Sequence, residues 1–202
     1  YKSFRVIFLD QRGAGKSFPK GCLKHNTTQD LIEDINYIRK YLLIDKWLVV
    51  GGSWGSTLGI AYAQRYPENI IGLVLRALFL GTKQEVDWAF YNAANYFKPE
   101  LIKDLNTVIK NDKNKSPIFK LGSMLESKDL KKRVIAALLW QNYESKLSTI
   151  NYNHHNFNEI INIKISKINT NKSIPNTPFL EWHYIKNNFF LKKNQLLDGK
   201  KK

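Results

Sequence analysis

Cysteine is almost absent from this 202-residue chain. Cys22 stands alone, so there is no partner for an intrachain disulfide and no thiol set for a zinc site. No run of about 18 apolar residues occurs either. With 24% charged residues and a mean hydropathy of -0.39, the chain does not read as a membrane protein. The opening, Tyr1 through Leu9, lacks the small-residue cleavage site that closes a secretory signal. What remains is a chain of soluble, cytoplasmic type. Its 43% hydrophobic and 13% aromatic residues suffice for one core with an attached lid.

Acidic residues are scarce, 17 against 32 Lys and Arg, which leaves a net charge of +15. Clustered cations release counterions from nucleic-acid phosphates, so the distribution decides what the surplus means. Residues 1–100 hold 13 basic and 9 acidic side chains, whereas residues 101–202 hold 19 and 8. The excess is Lys scattered among Asn and Ile, without the Arg and aromatic interleaving that stacks bases. It reads as a solvated surface, and no nucleic-acid partner is expected.

Phe4 to Leu9 is a nearly continuous apolar run that stops at the turn cluster Asp10 to Gly15, which predicts a buried strand feeding a loop. Leu31, Ile35, Ile38 and Leu42 then recur at helical spacing behind Thr27, Thr28 and Asp30, residues that cap a first turn. Trp47 to Val50 predicts a second strand, Gly55 to Tyr66 a helix closed by Pro67, and Ile70 to Leu75 a third strand. Strand, helix, strand, helix, strand is the order of a parallel sheet covered on both faces. After about Leu80 only helical periodicity remains, over 83–97, 99–109, 128–147 and 177–190. Residues 151–176 form a polar, Asn-rich stretch without a clear period, and 198–202 a charged, frayed end. The expected organisation is a partial α/β core over 1–80, a helical cap over 81–190 and a charged tail over 191–202.

Gly51-Gly52-Ser53-Trp54-Gly55 matches G-x-S-x-G and lies between the second predicted strand and the helix after it. A serine on that sharp turn takes a strained backbone conformation, and the flanking glycines let strand and helix approach. Its hydroxyl then stands above the sheet, while free N–H groups at the helix start face a developing oxyanion. Ser53 is the candidate nucleophile and the backbone N–H of Trp54 the candidate oxyanion donor, with the Trp54 indole expected simply to pack. The loop ending in Gly15-Lys16-Ser17 is not a P-loop, because that motif needs glycine where Asp10 stands. It is not a dinucleotide fingerprint either, since Phe18 occupies the place of the third glycine.

Three blocks carry a resemblance: Asp10-Gln11-Arg12-Gly13-x-Gly15-x-Ser17, then Gly51 through Leu58, then Leu73-Val74-Leu75-Arg76-x-x-Phe79. Together they resemble the proline iminopeptidases, a branch of the α/β-hydrolase fold. Trp140-x-x-Tyr143-Glu144 and Glu181-Trp182-His183-Tyr184 resemble two further blocks of that family's cap. The resemblance is densest over the first 90 residues. It implies an α/β-hydrolase core with an inserted helical cap, no cofactor and no metal, and a serine peptidase that releases N-terminal proline from peptides. Glu144 and Glu181 would hold the substrate's charged amine, with Arg76 and Phe79 near the substrate and His183 in a structural role. Trp140 and Glu144 are four apart and share a helix face, which sets an aromatic wall beside a carboxylate.

The family's triad runs Ser, then Asp, then His, the last two on loops after later strands. No strands of that kind follow the helical block, so no catalytic Asp or His is assigned among His25, His154, His155 and His183. The family's H-G-G-P-G loop would lie upstream of Tyr1. Truncation at both ends is therefore expected, with little activity in this chain by itself. The alternatives are another α/β-hydrolase esterase, a broader aminopeptidase, or an inactive remnant serving as a binding module.

Overall fold

In a computed structural model the residues described are 3–112, 114–150, 157–159, 161 and 174–199. Helix α1 (Thr28–Tyr41) begins where its capping signal stands. The Thr27 side chain accepts from the Asp30 N–H while Asp30 reaches back to the Thr27 N–H. Strands β1 (Trp47–Ser53) and β2 (Ile70–Leu78) pair in parallel, joined by α2 (Trp54–Arg65). Both strands run three residues beyond the apolar stretches that predicted them, because pairing continues through Gly51, Gly52 and Ser53 to Leu78.

Helix α2 covers one face of this sheet. Gly59 makes the approach close, facing Val49 and Leu75 at contact distance. On the other face Leu48, Val50 and Val74 are exposed. Phe4 to Leu9, expected as a buried strand, forms none, and Phe4 and Phe8 are 76% and 88% exposed. An apolar run becomes a strand only when a neighbour pairs its N–H and C=O groups. No described strand pairs with this one, and β1 and β2 are the whole described sheet.

The rest is helical. A distorted helix runs through α3 (Lys83–Asp87), a wide π turn at Trp88–Asn92 and α4 (Ala93–Phe97). Such a turn leaves backbone groups looking for partners, and the buried Tyr143 hydroxyl donates to the Phe90 carbonyl within it at 2.7 Å. Then follow α5 (Pro99–Ile109), α6 (Pro117–Leu125), α7 (Leu130–Ser148), α8 (Thr177–Lys186) and the short α9 (Gln195–Asp198). Helix α7 buries Val134, Ala136, Ala137, Leu138, Leu139, Trp140 and Tyr143, residues pointing all round its axis. That pattern marks a helix packed on several sides, here by α5, α6 and α8.

Three differences from the sequence reading stand out. Helix α6 has no counterpart in it. The helix expected over 177–190 stops at Lys186, and Asn188, Phe189 and Phe190 all take positive φ, which turns Phe189 inward to 6% exposure. Finally, residues 191–199, part of the stretch read as a charged tail, are held against the rest of the fold. Leu196 is buried, its carbonyl accepts from Gln64 Nε2 at 2.9 Å, and α9 packs on α2. Buried residues from α1, α2 and every helix from α3 to α9 form one continuous apolar cluster. No described helix is long and apolar enough to cross a membrane.

Candidate active site

Ser53 ends β1 with φ 53° and ψ -122°, is exposed, and leads directly into α2. A non-glycine residue held there is strained by roughly 1–3 kcal/mol, a strain found where surroundings impose it. The surroundings are visible. A Cβ on Gly51 would stand 2.2 Å from the Gly55 carbonyl oxygen, so only glycine fits where strand and helix cross. Gly55 itself faces open space; its backbone, not its missing side chain, is what Gly51 must clear. Ser56 Oγ donates to the Ser53 carbonyl at 2.7 Å and accepts from the Phe79 N–H at 3.0 Å, while Thr57 Oγ1 donates to the Phe79 carbonyl at 2.6 Å. Two buried hydroxyls of α2 thus clamp the end of β2 to the turn at Ser53.

Opposite the turn β2 carries an extra residue. Gly52 pairs with Arg76 but Ser53 with Leu78, leaving Ala77 bulged at φ 48°. The Arg76 side chain lies along Gly52, its Nε and Nη2 each 3.6 Å from where a Cβ would be. Arg76 is exposed and makes no ion pair among the described residues. Phe79 is half-buried, edge-on to Phe189 at 5.2 Å between ring centres.

The Trp54 indole does more than pack. It lies 4.7 Å from the Tyr184 ring and 5.6 Å from Phe189, and its Nε1 donates to Gln11 Oε1 at 2.9 Å. Gln11 belongs to a loop anchored on both sides. The Asp10 carboxylate accepts from the Lys16 N–H and lies against Gly15, where a Cβ would come within 2.3 Å of it. Arg12 grips Asp34 of α1 with two bonds of 2.7 and 2.5 Å. A second link is Asn26, fully buried and not singled out by the sequence. Its Nδ2 donates to the carbonyls of Arg12 and Cys22, its Oδ1 accepts from the Tyr184 hydroxyl at 2.6 Å, and its own carbonyl meets His183 Nε2 at 2.9 Å. His183 is accordingly a structural contact between α8 and the loop, as its block suggested. No motif surrounds Asn26; only its position before the Thr27 cap could have drawn attention to it.

Glu144 on α7 and Glu181 on α8 come together, close enough for the charge of one to act on the other. Trp140, fully buried, donates Nε1–H to Glu181 Oε2 at 2.5 Å, and its ring lies 6.4 Å from that of Trp182. Burial, then the neighbouring Glu144 charge, pushes Glu181 up to about 8. Glu144 is raised too, first by burial. Glu181 and Tyr184 lie one helical turn apart, and Tyr184 rests on Trp54 next to Ser53. A single helix therefore carries both a carboxylate of the pair and a ring contacting Trp54, the residue after Ser53.

An open cavity of about 530 Å³ lies elsewhere, between the 9–25 loop, α1 and Leu58, and none of Ser53, Glu144 or Glu181 lines it. Neither His25 nor His183 hydrogen-bonds Ser53, and His154 and His155 lie outside the described residues.

A strained serine between a parallel strand and the helix that follows it is the backbone geometry of a nucleophile elbow. A family model described as alpha/beta hydrolase fold matches residues 1–185, and the chain belongs to that family. Among curated proteins it is 37% identical to the proline iminopeptidase of Arabidopsis thaliana over 198 residues, 97% of this chain and 50% of that protein. It is 41% identical to the proline iminopeptidase of Neisseria gonorrhoeae over 145 residues, 71% of this chain and 47% of the relative. With that of Xylella fastidiosa strain 9a5c it shares 39% over 147 residues, 73% and 47% of the two chains. The chain thus spans about half the length of these relatives.

Proposed function

We propose that this protein is a serine peptidase releasing N-terminal proline from peptides, with Ser53 as nucleophile, acting in the cytoplasm. The observation that supports it best is the Glu144–Glu181 pair beside Trp140, Glu181 lying on the helix whose Tyr184 contacts Trp54. A charged secondary amine on an apolar ring asks for negative charge against aromatic surface, and this pair offers both. Bound there, the amine would present the prolyl carbonyl to Ser53. The Ser53 oxygen would add to that carbonyl, and the Trp54 N–H would donate to the oxygen that gains charge. The leaving amine takes a proton as the carbon–nitrogen bond breaks, and water then releases proline from the serine ester. A general base must accept the Ser53 proton, and the described residues bring none to it. Arg76 beside Gly52 and Phe79 against Phe189 are read as flanks of the substrate site.

The test uses the native protein with a panel of aminoacyl amides sharing one leaving group. The proposal expects prolyl amide to be cleaved far faster than alanyl or leucyl amide, with Ser53→Ala inactive. Equal cleavage across the panel would instead show a broader aminopeptidase.

A further inference from the structure

We propose that Gln11 is a positioning residue for the oxyanion site, acting through the Trp54 indole. The inference rests on Ser53 being the nucleophile, as read above. Ser53 sits at φ 53°, a conformation that relaxes unless it is held. The peptide that follows it carries the Trp54 N–H, and the direction of that N–H depends on how Trp54 is seated. Trp54 is seated from three sides: Tyr184 and Phe189 rest against its ring, and Gln11 accepts from its only polar atom. Ring contacts alone allow an indole to slide and tilt, whereas a hydrogen bond at one edge sets its rotation.

Gln11 can do this because its neighbours immobilise the loop. Asp10 is held by the Lys16 N–H, and the Asp10 carbonyl accepts from Ser17 Oγ at 2.6 Å. Arg12 is locked to Asp34 on α1. The side chain between them is thereby presented to the indole from a rigid support. Gln11 itself touches no reacting atom, so its effect belongs in the acylation rate rather than in ground-state affinity.

The experiment measures acylation of the native protein by an activated ester and cleavage of prolyl amide, for Gln11→Leu, Gln11→Glu, Trp54→Phe and the Gln11→Leu/Trp54→Phe double variant. Removing the acceptor is expected to lower kcat about tenfold for both substrates, somewhat less than loss of an oxyanion donor itself. KM should stay within about twofold, and Gln11→Glu, which still accepts from the indole, should keep most of the rate. The decisive comparison is the cycle. Trp54→Phe keeps the ring but loses the donor, so Gln11→Leu should add almost nothing in that background. Wild-type kcat in Gln11→Leu, or effects that multiply in the double variant, would overturn the proposal. Should Gln11→Leu fail to fold, Gln11→Asn, one methylene short of the indole, takes its place with the same expectation. A wild type that is acylated by the ester but spares prolyl amide would refute the proline reading while leaving the Gln11 test intact. A wild type not acylated at Ser53 would refute both.

Discussion

Trp140 on α7 donates its indole N–H to Glu181 on α8 at 2.5 Å, where Glu181 also feels the charge of Glu144. Two neighbouring carboxyl groups resist ionising together, and burial with the Glu144 charge pushes Glu181 up to about 8. An incoming ammonium reverses the balance, favouring two charged carboxylates.

The raised Glu181 makes stability depend on pH in a definite direction. Between the ordinary carboxylate value of 4.5 and about 8, the folded protein binds more protons than the unfolded chain. Stability contributed by this group is therefore greatest at the acid end of that window and falls as pH rises through it. Glu181→Gln keeps an acceptor for Trp140 but removes the charge. In urea titrations it should match wild type near pH 5 and be the more stable protein at pH 9, with its slope against pH flattened. A Glu181→Gln protein less stable than wild type at pH 9 would show that the pair is not strained when ionised.

Gly51 and Gly55, on either side of Ser53, should respond differently to alanine. At Gly51 the new carbon meets the Gly55 carbonyl at 2.2 Å, backbone against backbone, and neither side can rotate away. Gly51→Ala is expected to cost about 3 kcal/mol or more and to abolish serine labelling. At Gly55 the carbon enters open space on a helix, so Gly55→Ala should leave stability within about 1 kcal/mol of wild type. Denaturation midpoints together with labelling by a fluorophosphonate separate the two cases.

Asn26 joins the 9–25 loop to α8 through three side-chain hydrogen bonds at a fully buried position. Asn26→Ala would leave the buried Tyr184 hydroxyl without its acceptor and two part-buried carbonyls without their donor. It should destabilise by about 3 kcal/mol in urea titrations. Because Tyr184 supports Trp54, the variant should also slow acylation of Ser53 at temperatures where it remains folded.

Several elements were legible because their causes are local. The Thr27 to Asp30 box starts α1 where expected, and Pro99 opens α5, which ends at Ile109 as the periodicity predicts. Helix α6 was overlooked although Ser116-Pro117 marks its start and Ile118, Leu121 and Leu125 keep helical spacing. Gly122 blurs the signal, and its reason is distant: Trp182 fills the space a Cβ would need, at 2.4 Å. The strand expected at Phe4 to Leu9 failed for the complementary reason, since apolar alternation supplies side chains but not the pairing partner that makes a strand.

The turn at Ser53 belongs to the sequence: glycine at 51, where any side chain would strike the next helix, and an apolar strand ahead of it confine the chain to one sharp geometry. Helix starts at Thr27 and Pro99 are equally local matters of capping. Whether Glu144 meets Glu181, and at what pH they ionise, was decided only when α7 packed against α8. Proximity and burial, which together push Glu181 up to about 8, are properties of that packing and not of either residue's neighbours in the chain. The same holds for Gln11, whose side chain means nothing in its own loop and acquires a role only where Trp54 comes within 2.9 Å.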